Sequence, residues 1–203
     1  MRSLALEALD AATRRGVSYA DVRVVESRER DVATRNGKPA RMSHSESFGV
    51  GIRVVAGGCW GFAATGELSR EGIGAAASLA VEIARSGAGV KRKDVQLAPE
   101  SPYTAEWTSP FRIDPFSLPP DRNLALLLAI DAELRREPGV ALAEASMTFT
   151  RVRQVFASSL GSLIGQTRVT SGAGFSALSY RDGEIQKRSY PNSFGGQHQL
   201  KGY

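Results

Sequence analysis

Cysteine and histidine are nearly absent from this chain. A single cysteine, Cys59, in 203 residues excludes an intrachain disulfide and a thiolate cluster around a metal. The histidines are two, His44 and His198. A hydrolytic metal centre gathers about three protein ligands, and its usual trace is a pair of histidines on one helix face with a glutamate between them. That trace is missing. His44 stands in Ser43-His44-Ser45-Glu46, where strand alternation puts His44 and Glu46 on one face. The two could share a metal in principle, but no third ligand is in view. His198, between Gln197 and Gln199, reads as a solvated polar residue.

Nucleophile and phosphate signatures are missing as well. No GxSxG elbow occurs, and Ser158-Ser159-Leu160-Gly161 reads as a turn. Gly49-Val50-Gly51 and Gly172-Ala173-Gly174 lie inside strand patterns instead of ahead of helices, which argues against a phosphate-cradling loop. Carboxylates are spread along the chain, and their spacing singles out no acid–base pair. No catalytic, cofactor-binding or metal residue is therefore assigned.

Long apolar runs are lacking too. The stretch from Leu124 to Ile130 falls far short of the ~20 residues a bilayer needs. The opening MRSLALEALDAATRRG carries Glu7 and Asp10 where a secretory signal requires an apolar centre, so a cytoplasmic location is expected. Charge of one sign is not concentrated: 26 Lys and Arg stand against 21 Asp and Glu, a net +5, and only Lys91-Arg92-Lys93 clusters. Neither membrane nor nucleic acid is expected as a partner.

What is present begins with FGVGIRVVAGGCWGFAAT, Phe48 to Thr65. Two runs of β-branched and aromatic residues flank Gly57-Gly58, a pair that supplies the positive φ angles of a type I′ turn. Pairing outward sets Ala56 opposite Cys59, Val55 opposite Trp60 and Arg53 opposite Phe62. One face then holds Val50, Ile52, Val54 and Ala56 against the small Cys59, Gly61 and Ala63, suited to a close-packed helix. The other holds Val55, Trp60 and Phe62 with Arg53 among them, an arrangement that allows Arg to stack on a ring.

Ahead of this hairpin, apolar spacing predicts a helix over Ser3 to Arg15 with Gly16 as its stop. Strands follow at Tyr19 to Ser27 and Asp31 to Arg35, then an Asn36-Gly37 turn and a polar return over Ala40 to Ser47. Behind the hairpin, Ser69 caps a helix whose stripe is Ile73, Ala76, Ala77, Ala80, Val81 and Ala84, ended by Gly87. Residues 87–120 carry six of the nine prolines and read as a long connector, with Tyr103, Trp107, Phe111 and Phe116 available to dock. A helix over Asp121 to Arg136, burying Leu124, Leu127, Leu128 and Leu134, leads into strands at Ala141 to Ser158, Leu163 to Thr170, Ala173 to Tyr180 and Glu184 to Tyr190. Turns fall at Leu160-Gly161 and Asp182-Gly183. The fold class expected is α+β: an antiparallel sheet of hairpins packed with about three helices. Domain 1–190 contains the connector, and 191–203 shows no helix or strand period.

The helix before GVSYADVRVVE, the RNGK turn, GVGIRVVAGGCWGFAAT and FASSLGSLIGQ resemble, in that order, the N-terminal domain of the TldD/PmbA proteins, also called modulators of DNA gyrase. The wording resembles the TldD branch more than the PmbA branch. The resemblance implies a zinc metallopeptidase whose ligands belong to an HExxxH motif in a C-terminal domain. No HExxxH occurs in this sequence, so none of the family's metal or catalytic residues carries over, and the chain alone is expected to be inactive. Zinc is expected in the absent domain, with 191–203 as the start of the linker to it. The chain is expected to supply a wall of the peptide cavity and surface for a homo- or heterodimer with a TldD- or PmbA-type subunit. The alternatives are a free-standing interaction module of the same fold and a PmbA-like non-catalytic partner.

Overall fold

A computed structural model describes residues 1–192, 197–200 and 203; of the expected linker, 193–196 and 201–202 lie outside the described residues. The helices are α1 (Arg2–Thr13), α2 (Arg70–Gly87) and α3 (Pro120–Leu134). The strands are β1 (Tyr19–Arg35), β2 (Lys38–Ala56), β3 (Cys59–Thr65), β4 (Thr104–Thr108), β5 (Val140–Ser158), β6 (Leu163–Arg181), β7 (Glu184–Tyr190) and β8 (Gln197–Gln199). They form one sheet in the order β3-β2-β1-β5-β6-β4, with β7 and β8 also pairing β6. The α+β expectation holds.

Four expectations about local structure are corrected. Residues 28–30 do not interrupt β1, because their charges find partners: Arg28 pairs with Glu46 at 3.4 Å, and Arg30 donates to the carbonyl of Leu118 at 2.9 Å. Nor does β6 break after Thr170. Its Ser171, Gly172 and Ala173 pair antiparallel with β8, and a Cβ on Gly172 would lie 2.6 Å from the His198 ring, so only glycine admits that approach. The tail, read as patternless, thus contributes a strand. The connector also contains regular structure. β4 lies parallel to β6, the one parallel pairing among those described here, and Pro115–Ser117 makes a 3-10 turn whose Phe116 N–H is capped by Asp114 at 2.9 Å. Of its aromatics only Phe116 packs into a core, while Tyr103, Trp107 and Phe111 stay exposed.

The chain divides into two compact units. The first comprises residues 1–27, 47–108 and 152–167. Its hairpin has the register read from the sequence, Ala56↔Cys59 through Ile52↔Ala63, with Gly57 and Gly58 at φ 57° and 73°. Ser69 accepts the Gly72 N–H at 3.1 Å and starts α2, as expected. The core joins Ala5, Ala8 and Ala12 of α1 and the alanine stripe of α2 to Val22, Val24, Ile52 and Val54 of the sheet. So many alanines let helix and sheet approach closely. The contact is tightest at Gly61, where a Cβ would come within 1.9 Å of the Ala80 carbonyl oxygen.

The second unit comprises residues 28–46, 109–151 and 168–203. Its core is Val32, Leu127, Ala145, Met147 and Phe149. Of the four leucines expected on the buried side of α3, only Leu127 is fully buried, and Asn123 and Asp131 complete the buried stripe. The reason is a latch. Asp131 Oδ1 accepts the Gly37 N–H at 2.8 Å and Arg135 Nε at 2.9 Å, tying the helix to the β1–β2 turn. Asn36 completes it by accepting the Ala143 N–H at 2.8 Å.

Candidate functional site

In the second unit, a cleft of about 620 Å³ opens over the sheet, lined by Ala33, Arg35, Arg41, Glu144, Ser146, Thr148, Gly174, Ser176 and Ser189 among others. Small side chains leave room over the strands, and the polar groups fall into two sets. Thr148 donates to Asp31 at 2.6 Å, and Arg35 pairs with Glu144 at 3.5 Å. The hydroxyls of Ser146, Ser176 and Ser189 are spent on no partner among the described residues. Beside Asp31 on the same strand stands Glu29. Its carboxyl is held above its ordinary range, first by a hydrogen bond shared with Asp31, then by that group's charge and by burial, with Arg41 opposing. The sequence held this pair in view, since carboxylates at i and i+2 of a strand share a face. Reading 28–30 as a break concealed it.

The pair singled out from the sequence, His44 and Glu46, is brought together: His44 Nε2 donates to Glu46 Oε1 at 3.0 Å. Glu46 is held below the ordinary carboxylate range by that bond and then by the Arg28 charge. A guanidinium thus occupies the place a cation would take, and the His44 ring meets the edge of Phe116 at 6.4 Å between centroids. His198 does not join them; it lies exposed on β8. Among the described residues no three of His, Cys, Asp and Glu gather as ligands for an ion. The residues described do not fit a hydrolytic zinc centre.

In the first unit, the sheet face away from the helices is built around Asp21. Its carboxylate is fully buried and bonded to Arg23 Nη1 at 2.7 Å and to Arg53 Nε at 2.8 Å. Arg53 lies over Trp60 at 4.7 Å, the Arg-on-ring contact expected, and Arg23 makes a second, unexpected one over Phe156 at 4.9 Å. Tyr19 meets Trp60 edge-on at 5.9 Å. Burial, followed by the Asp21 charge, pushes the Tyr19 phenol up. Burial opposes but does not overcome the bond and charge from Asp21 that raise Arg53.

Residues 20–84, which carry Asp21, Arg53 and Trp60, match the family described as PmbA/TldA metallopeptidase domain 1. Over that stretch the chain resembles a PmbA/TldD first domain. The fold is shared with solved structures over nearly all of the chain. A candidate modulator of DNA gyrase from Thermotoga maritima superposes with a TM-score of 0.71 at 15% identity, covering 98% of this chain and 43% of that one. A second, from Bacteroides thetaiotaomicron, gives 0.73 at 19% identity, with 92% and 43% covered. TldE from Thermococcus kodakarensis gives 0.67 at 14%, with 91% and 42% covered. A metalloprotease from Methanothermobacter thermautotrophicus is 36% identical over 86 residues, which are 42% of this chain and 18% of that protein. This chain therefore spans under half the length of the solved PmbA/TldD-like chains and under a fifth of the metalloprotease. The PmbA/TldD stretch includes the whole Arg53–Trp60 hairpin but supplies the cleft only with residues of β1 and β2.

Proposed function

We propose that this chain is the non-catalytic N-terminal portion of a TldD-like metallopeptidase. Its polar cleft walls the cavity in which peptides are cleaved, and its surface takes part in dimerisation with a like or PmbA-type subunit. The observation that carries the reading is the cleft: it offers unspent serine hydroxyls and paired, self-neutralising charges. Such a surface suits the uncharged donors and acceptors of a peptide main chain. Zinc belongs, in this reading, to polypeptide continuing beyond 191–203, where a metal-activated water would do the hydrolysis. No helix among the described residues is long and apolar enough to cross a membrane, in keeping with the cytoplasmic location included in this reading.

The test has two arms. This chain alone, supplied with zinc, is expected to cleave no peptide; robust hydrolysis abolished by a chelator would refute the proposal. In the protein encoded by the uninterrupted gene, filling the cleft with Ser146→Phe is expected to raise KM for peptides more than it lowers kcat, and unchanged kinetics would remove the cleft from the reading. A free-standing interaction module is the second reading, favoured by the exposed arginine–aromatic face of the first unit. An in-frame HExxxH beyond Tyr203 supports the metallopeptidase, and a stop codon the module.

A further inference from the structure

We propose that the arginine–aromatic face of the first unit is a docking surface for a segment of another polypeptide that presents a carboxylate between apolar side chains. Two guanidiniums share one carboxylate there, so the Asp21–Arg23–Arg53 cluster keeps one net positive charge. Asp21 uses Nη1 of Arg23 together with Nε and Nη2 of Arg53. Nε and Nη2 of Arg23 take no part in the bonds to Asp21, and Arg53 reaches the Tyr19 hydroxyl as well as Asp21. Both guanidiniums already lie over rings and are partly exposed, so an incoming carboxylate finds charge-assisted donors in place and orders little on arrival.

Around this charge the surface is apolar. Phe62 is 58% exposed and Trp60 40% exposed. A Cβ on Gly51 would lie 3.2 Å from the Phe62 ring, so Gly51 is what lets that ring lie down on the sheet. Trp, Tyr and Arg fixed side by side are the composition of interface hot spots. A nucleic acid would bring a phosphate every few ångströms to a face that offers one net positive charge among rings. A single carboxylate flanked by apolar side chains matches that pattern in both charge and hydrophobicity.

These 203 residues carrying Trp107→Phe retain Trp60 as their one tryptophan, which reports on this face. The probe is the peptide acetyl-Leu-Glu-Phe-Leu-amide, with its Gln counterpart as control. Titration is expected to change Trp60 emission saturably, with the Gln peptide about tenfold weaker, the loss of roughly one charge-assisted bond. Phe62→Ser, at an exposed position that leaves the core intact, is expected to weaken the Glu peptide several-fold, and Arg53→Gln to abolish its preference over the Gln peptide. The proposal is overturned by an emission that does not saturate, by equal binding of the two peptides, or by unaltered binding to the Phe62→Ser variant. Tighter binding of a uridine oligonucleotide would assign the face to nucleic acid instead. Concentration-dependent dimerisation abolished by Phe62→Ser would assign it to a second copy, and either result overturns the proposal.

Discussion

Replacing Asp21 by Asn keeps the shape of the side chain and removes its charge, which leaves two guanidiniums near one another with nothing between them to neutralise. Both arginines are partly solvated, which moderates the cost. A loss of about 1–3 kcal/mol in urea-unfolding free energy is expected, and a loss below a few tenths would show that solvent already screens the cluster. Glu29 works in the opposite direction. A carboxyl that is easier to protonate in the folded chain than in the unfolded one costs stability once it ionises. The cost is absent below the ordinary carboxylate range, grows as pH rises through the raised folded value, and is complete above it. Glu29→Gln is therefore expected to raise Tm at about pH 7 and to converge with the parent near pH 3, below the ordinary carboxylate pKa of about 4.3. Parallel Tm curves across that range would contradict the role given to Asp31.

The elements owe their contacts to single positions, and Gly61 is the most demanding of them. Alanine there puts a methyl 1.9 Å from the Ala80 carbonyl oxygen and 2.8 Å from the Ala84 nitrogen, both backbone atoms that cannot swing aside. The β3–α2 contact must open, and a thermal melt is expected to show a loss of about 1–3 kcal/mol or more. Gly74→Ala in the same helix, with nothing within 4 Å of the added methyl, is expected to stabilise by up to about 1 kcal/mol. This closeness was legible in the sequence, since Cys59, Gly61 and Ala63 alternate opposite an alanine stripe. The hairpin register and the Ser69 cap were legible for the same reason: each is decided by neighbours in sequence. β4 and β8 were not, because Thr104–Thr108 and Gln197–Gln199 become strands only through β6, whose partnering residues are remote from Thr104–Thr108 and separated from β8 by β7. The Asp131 latch was hidden likewise: a carboxylate on an otherwise leucine-rich helix face gives no sign that a turn N–H lies 94 residues away to receive it. The Asp21 cluster was half legible, with Asp21 and Arg23 sharing a strand face and Arg53 already placed beside Trp60.

Across the whole molecule, protection is unevenly distributed. Residues 20–22, 24 and 54–56 are buried, whereas β7 is exposed along its entire length. Native-state amide exchange is expected to be slowest within 20–24 and 50–56 and fastest among the strands in 184–190, and equal protection in both would mean that β7 is covered in solution. The sheet's far edge holds a further consequence. β6 takes β4 along Leu163–Thr167, β8 along Ser171–Ala173 and β7 along Phe175–Arg181. Thr104–Thr108 is synthesised more than fifty residues before its pairing segment, and β8 after every other described strand. The backbone of Thr104–Thr108 therefore has no sheet partner until Leu163–Thr167 has been made, and this margin of the sheet is completed only once Gln197–Gln199 follows.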